Sequence, residues 1–186
     1  MKTIVVVPVK GGTQQKSRLA DALSVTERER LVADMAHHVL AQARLAAGDG
    51  NVVILSPAPI GAAYGWREDR LRGFNEELTA LRADERDAVF VVVNADLPFV
   101  QAEDIAELIA AAREGAIAIA PNRDGSGTNA VALPPNAEFT FAFGVESFER
   151  HRQSAGARAM IVRRNGLAFD VDTPADLADA RRAGLA

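Results

Sequence analysis

Three features of the sequence predict an α/β fold with a mostly parallel sheet flanked by helices. Short runs of β-branched residues recur along the chain, and longer stretches with helical periodicity separate them. The runs are also continuously apolar rather than alternating, as expected of strands buried on both faces.

The elements follow in order. Ile4–Val7 is the first such run, and a polar loop with glycine and lysine, Lys10–Arg18, comes after it. Ser24-Val25-Thr26-Glu27 fits a capping box that opens a helix. Leu31, Met35, Val39 and Leu40 share one face of that helix, and Gly48-Asp49-Gly50 ends it. Val52–Leu55 is a second strand, stopped by Ser56-Pro57, and Tyr64-Gly65-Trp66 reads as loop. A helical segment spans Glu76–Leu81. Ala88–Val93 is a third strand running into Asn94-Ala95-Asp96-Leu97-Pro98. Ile105, Leu108, Ile109 and Ala112 mark an amphipathic helix, followed by a strand over Ala116–Ala120.

Beyond Asp124 the apolar pieces shorten to Ala130–Leu133, Met160–Val162 and Leu167–Phe169, around a helix near Val145–Ser154. A last helix opens at Thr173-Pro174, with Thr173 as N-cap and proline at the first helical position. Without repeat, linker or low-complexity tract, residues 1–186 read as a single domain.

Composition narrows the function classes. Apolar residues make up 48% and charged residues 25%, the balance of an ordinary globular chain. A net charge of −4 gives no basic field to hold nucleic acid. The chain has no cysteine, which excludes disulfides, thiolate metal sites and cysteine nucleophiles. The first apolar run is too short for a signal peptide and no run spans a membrane, so the expected location is the cytoplasm. Monomer and homodimer are both open.

Ligands of open α/β sheets bind beyond the carboxyl ends of the strands, and four groups of residues fall there. In the first, Lys10, Lys16 and Arg18 bring positive charge to one loop, and Gly11 and Gly12 let backbone N–H groups approach a phosphate. The loop lacks the glycine that a P-loop places before its Lys-Ser pair, and a solvated basic loop is the alternative. In the second, Asp96 ends an otherwise apolar strand, where a carboxylate needs a cation, a hydrogen bond or a capping role. In the third, Asp170 and Asp172, two residues apart on an extended segment, share a face and can reach one metal ion, unless Asp172 and Thr173 merely cap the next helix. In the fourth, Gly127 and Thr128 offer donors to an anion, and Ser147 lies in the first turn of a helix; Asp124-Gly125 equally suits a hairpin turn. Asn75 is placed to read a base edge. His37, His38 and His151 lack metal-ligand spacing and read as exposed or partly buried imidazoles.

In this order the groups resemble the guanylyltransferases of coenzyme F420 biosynthesis, a family that includes the 2-phospho-L-lactate and phosphoenolpyruvate enzymes and is related to molybdenum-cofactor-type nucleotidyltransferases. The matching residues are Pro8-Val9-Lys10 with Lys16-Ser17-Arg18-Leu19, Asn75, Ala95-Asp96-Leu97-Pro98, Gly127-Thr128-Asn129, Phe143-Gly144 with Ser147, and Asp170-Val171-Asp172-Thr173-Pro174. The chain departs at Gly11–Gln15, where a proline- and leucine-containing stretch is expected, and at Asn94, in place of a small residue.

The resemblance implies a Rossmann-like nucleotidyltransferase fold of the nucleotide-diphospho-sugar transferase type. It implies Mg2+ on Asp96, Asp170 and Asp172, a phosphorylated three-carbon acid near Thr128, Gly144 and Ser147, and GTP near Lys10, Gly11, Lys16 and Asn75. Lys16, Arg18 and Asp96 are the expected catalytic groups. Two other readings stay open: a nucleotidyltransferase for a sugar phosphate or molybdopterin, and a nucleotide-binding module without catalysis.

Overall fold

The computed structural model describes residues 1–9 and 16–185. Among them lie seven strands: β1 (Thr3–Pro8), β2 (Val52–Ser56), β3 (Gly65–Glu68), β4 (Val89–Val93), β5 (Ile117–Pro121), β6 (Thr128–Leu133) and β7 (Ala159–Ile161). They form one sheet in the order β3-β2-β1-β4-β6-β5-β7. Every neighbouring pair is parallel except those of β6, which runs against both β4 and β5. The helices are α1 (Val25–Ala47), α2 (Phe74–Asp84), α3 (Ala102–Arg113), α4 (Ser147–Ala155), α5 (Asn165–Ala168) and α6 (Pro174–Arg182).

The continuous apolar runs are buried on both sides, as strands of a covered sheet must be. Alternate residues of β1 and β4 enter opposite layers. Val5, Val7, Val89 and Val91 pack with Val39 and Leu40 of α1 and Ile105 and Leu108 of α3. Ile4, Val6, Phe90 and Val92 pack with Leu78 and Leu81 of α2 and with Phe141. A third cluster joins Leu19, Leu23, Leu31 and Met35 to Val171, Leu177 and Ala180. It fastens the segment after β1 to the C-terminal part of the chain, and so draws two distant stretches to the same sheet edge.

The expected helix starts are present. Ser24 Oγ accepts from Glu27 N, and the Glu27 carboxylate accepts from Ser24 N. Thr173 and Asp176 make the same reciprocal pair at the start of α6.

Two local expectations change. Gly65 and Trp66 belong to β3, an edge strand whose four residues are all exposed. It carries no apolar signal because it buries nothing; its pairing to β2 alone defines it. Of the piece Leu167–Phe169, Leu167 and Ala168 lie in the short helix α5, and only Phe169 is extended.

The reversal of β6 has a geometric effect. Thr128 pairs with Pro121 at the end of β5, and Ala130 with Val93 at the end of β4. The first residues of β6 therefore stand at the edge where its neighbours finish. No helix among the described residues is long and apolar enough to cross a membrane.

Candidate active site

A cleft of about 1100 Å³ opens over this edge. That volume is ample for a nucleotide together with a small acid. Its lining includes Lys16, Arg18, Asp96, Thr128, Gly144, Ser147, Asp170 and Asp172. Lys10 and Gly11 lie outside the described residues.

The chain builds the acidic side of the cleft by backbone contact. Asp96 follows β4, and its carbonyl accepts a hydrogen bond from Val171 N at 3.3 Å. Val171 turns its side chain into the third core cluster, wholly buried, so Asp170 and Asp172 on either side of it both face the cleft. Neither Asp96 nor Asp172 serves as a helix cap. Thr173 caps α6, and the start of α3 is capped by Gln101 and Asp104.

Lys16 is brought to the carboxylates by its neighbour. Leu19, fully buried, anchors the turn that follows Lys16, and Leu19 N donates to Lys16 O at 2.8 Å. Lys16 itself adopts a left-handed backbone, φ 52°. Its Nζ donates to Asp96 Oδ2 and Asp172 Oδ1, each at 2.5 Å. Burial works against the ammonium charge, but the two carboxylates outweigh it and hold the Lys16 pKa above its ordinary value.

Asp170 stands in the opposite balance. Burial, reinforced by the negative charges of Asp96 and Asp172, raises its pKa against a hydrogen bond from Asn129. Asp96 Oδ1 is buried with no hydrogen-bond partner among the described residues. Among the described residues, five aspartates (96, 124, 170, 172 and 176) line the cleft against three cationic side chains, Lys16, Arg18 and Arg123. Among the described residues no group of three acidic or imidazole ligands is already closed around one point; the Lys16 ammonium stands where Asp96 and Asp172 meet. An orphaned carboxylate oxygen, oxygen donors only and a deficit of positive charge suit a hard divalent cation.

The other side of the cleft carries hydroxyls. Ser147 Oγ accepts from Thr128 N at 2.9 Å. Gly144 has φ 125°, a conformation that L side chains rarely adopt. Arg123, at the end of β5, lies over the Phe169 ring at 4.1 Å and pairs with Asp176 and Asp179 of α6, closing that wall.

Two expected residues have other surroundings. Asn75 is not among the residues lining the described cleft. Its Nδ2 donates to Phe143 O (3.2 Å) and its Oδ1 accepts from Phe143 N (2.8 Å), so its amide props up the segment before Gly144. His151 is not an exposed or partly buried imidazole but wholly buried. Asn129, which has no role of its own in the sequence-based set, and Arg123, which is not singled out there, tie α5 and α6 to the strand ends; Arg123 lies just past β5, where the strand-end rule also applies.

The seat of α5 offers a structural test. A Cβ on Gly166 would strike the Asp104 carboxylate and come within 2.6 Å of Phe99 O and 2.9 Å of Val100 Cα. The obstruction is mostly backbone and cannot swing aside. Gly166→Ala is expected to destabilise the protein by about 1–3 kcal/mol, read as a lower urea midpoint with unchanged m-value.

A family model described as "Guanylyl transferase CofC like" matches residues 3–181. The phosphoenolpyruvate guanylyltransferase of Sphaerobacter thermophilus is 41% identical over 189 residues, covering 95% of this chain and 91% of its own. The fold is shared with a Desulfovibrio desulfuricans G20 protein provisionally assigned as a nucleotide-diphospho-sugar transferase (TM-score 0.74, 15% identity, 98% of this chain and 87% of that one). It is also shared with 2-C-methyl-D-erythritol 4-phosphate cytidylyltransferase of Thermus thermophilus (TM-score 0.53, 17% identity, 98% of both chains).

Proposed function

The chain belongs to the CofC-like guanylyl transferase family, and from that premise we propose that it joins GMP from GTP to a phosphorylated three-carbon acid, releasing pyrophosphate. It is a nucleotidyltransferase; the acceptor candidates are phosphoenolpyruvate, 2-phospho-L-lactate and 3-phosphoglycerate, and the pathway is coenzyme F420 biosynthesis in the cytoplasm. One observation carries the reading: the remote segments around Lys16, Asp96 and Asp172 meet at one point on the sheet edge, beside the hydroxyls of Thr128 and Ser147.

The acceptor phosphate carries close to two negative charges at neutral pH and needs no general base. One of its oxygens attacks the α-phosphorus of GTP. That oxygen–phosphorus bond forms as the bond to the β-phosphate bridging oxygen breaks, and pyrophosphate leaves with the electron pair. Thr128, Gly144 and Ser147 hold the acceptor in line for this displacement. Lys16 and Arg18 stabilise the charge that builds on the leaving pyrophosphate. Asp96, Asp170 and Asp172 would hold Mg2+, whose charge would lower the repulsion between the two polyanions.

The test is pyrophosphate release from GTP, run in parallel with the three acids and repeated with ATP, CTP and UTP. Release with GTP and one of these acids is expected. Release only with a sugar phosphate or pterin acceptor transfers the reading to another nucleotidyltransferase. GTP binding without release for any acceptor overturns catalysis.

A further inference from the structure

We infer that His151 is a positioning residue for acceptor binding: its imidazole fixes the Thr128 hydroxyl as a hydrogen-bond donor into the cleft. The inference rests on the proposed placement of the acceptor at Thr128 and Ser147.

The hydrogen bonds decide the tautomer. Ala142 N–H donates to His151 Nε2 at 2.9 Å, so Nε2 carries no proton. A neutral imidazole then bears its proton on Nδ1, and Nδ1 lies 2.9 Å from Thr128 Oγ1. Nδ1–H must donate, and Thr128 Oγ1 must accept. Among the described residues the hydroxyl's own proton has no acceptor, and Thr128 lines the cleft. Ser147 is set in the same sense, because its Oγ accepts from Thr128 N and leaves its proton to point elsewhere.

The surroundings hold the ring neutral. His151 is wholly buried, with Phe143 edge-on at 4.7 Å and Phe139 at 5.3 Å. Burial pushes its pKa down to about 4. An imidazolium would also lose the Ala142 bond, since Nε2 would then be a donor facing a donor. The result is a pair of hydroxyls that each already accept one hydrogen bond and keep a proton to donate, which suits an acceptor group that is fully anionic and has none to give.

Steady-state kinetics of three variants test this. His151→Gln places an amide near Nε2 and abandons the Nδ1 donor; His151→Asn keeps a donor near Nδ1. Thr128→Val removes the hydroxyl itself. The expected result is a rise of about tenfold in acceptor KM for His151→Gln and for Thr128→Val, the loss of one hydrogen bond to an anion. GTP KM stays unchanged, and His151→Asn recovers most of the loss. If Thr128→Val leaves acceptor KM unaltered, the acceptor placement fails; if it raises KM while His151→Gln does not, only the role of His151 fails. Should the variants not fold, long-range proton–nitrogen NMR of the wild-type protein still decides. A protonated Nδ1 beside an unprotonated Nε2 is expected, and the opposite tautomer overturns the inference.

Discussion

Asp96→Asn is expected to slow pyrophosphate release by about 10³-fold or more while the protein still folds. Asp96 supplies the buried oxygen that has no partner and one of the two contacts of Lys16. An amide of the same shape removes the negative charge, and with it several kcal/mol of cation-mediated charge stabilisation; each 1.4 kcal/mol is about a factor of ten in rate. The backbone carbonyl that receives Val171 N is untouched, so Asp170 and Asp172 stay where they are. Release rates at saturating Mg2+, beside thermal melts of both proteins, make the measurement. A variant that keeps most of its turnover would remove Asp96 from the metal-binding set.

Lys16→Met is expected to lose both activity and stability. Turnover falls by about 10²–10³-fold, as for loss of a preorganised charge at the leaving group. Without divalent cation the variant is also less stable by about 1–3 kcal/mol, because Asp96 and Asp172 lose the ammonium between them and the partly exposed aspartates recover only part of that loss through water. Added Mg2+ should then raise the melting temperature of the variant more than that of the wild type. The pH dependence follows from the sign of the shift. The Lys16 pKa is raised on folding, so its stabilisation is complete below the unfolded value near 10.4 and fades as pH climbs through the folded value. Melts between pH 6 and 9 should therefore show a constant gap between wild type and variant. Equal melting temperatures without cation would mean that Lys16 does not compensate the carboxylates.

Much of this was legible in the sequence because it rests on local rules. The continuous apolar runs marked the buried strands, while the capping box at Ser24 and the N-cap Thr173 followed by Pro174 marked two helix starts. The positions just past strand ends pointed to Asp96 and to the loop of Lys16. Three things were not legible. The edge strand β3 buries none of its residues, so no hydrophobic period betrays it. The buried face of α4 consists of Ser147, His151 and Ala155 at helical spacing, but two of these are polar and escape any search for apolar stripes. The amide of Asn75 meets a backbone 68 residues away, a pairing that only the folded chain reveals.

The lone antiparallel strand divides the labour of the cleft. Most of the charged residues come from the turn after β1, the end of β4 and the approach to α6, whereas the hydroxyl-bearing wall comes from β6 and α4. The two walls are stitched from different stretches of chain. On the proposed reading, drift in the hairpin leading to β6 can retune which small acid is accepted while the nucleotide machinery is inherited intact, so a lineage of such enzymes can diversify its products one wall at a time.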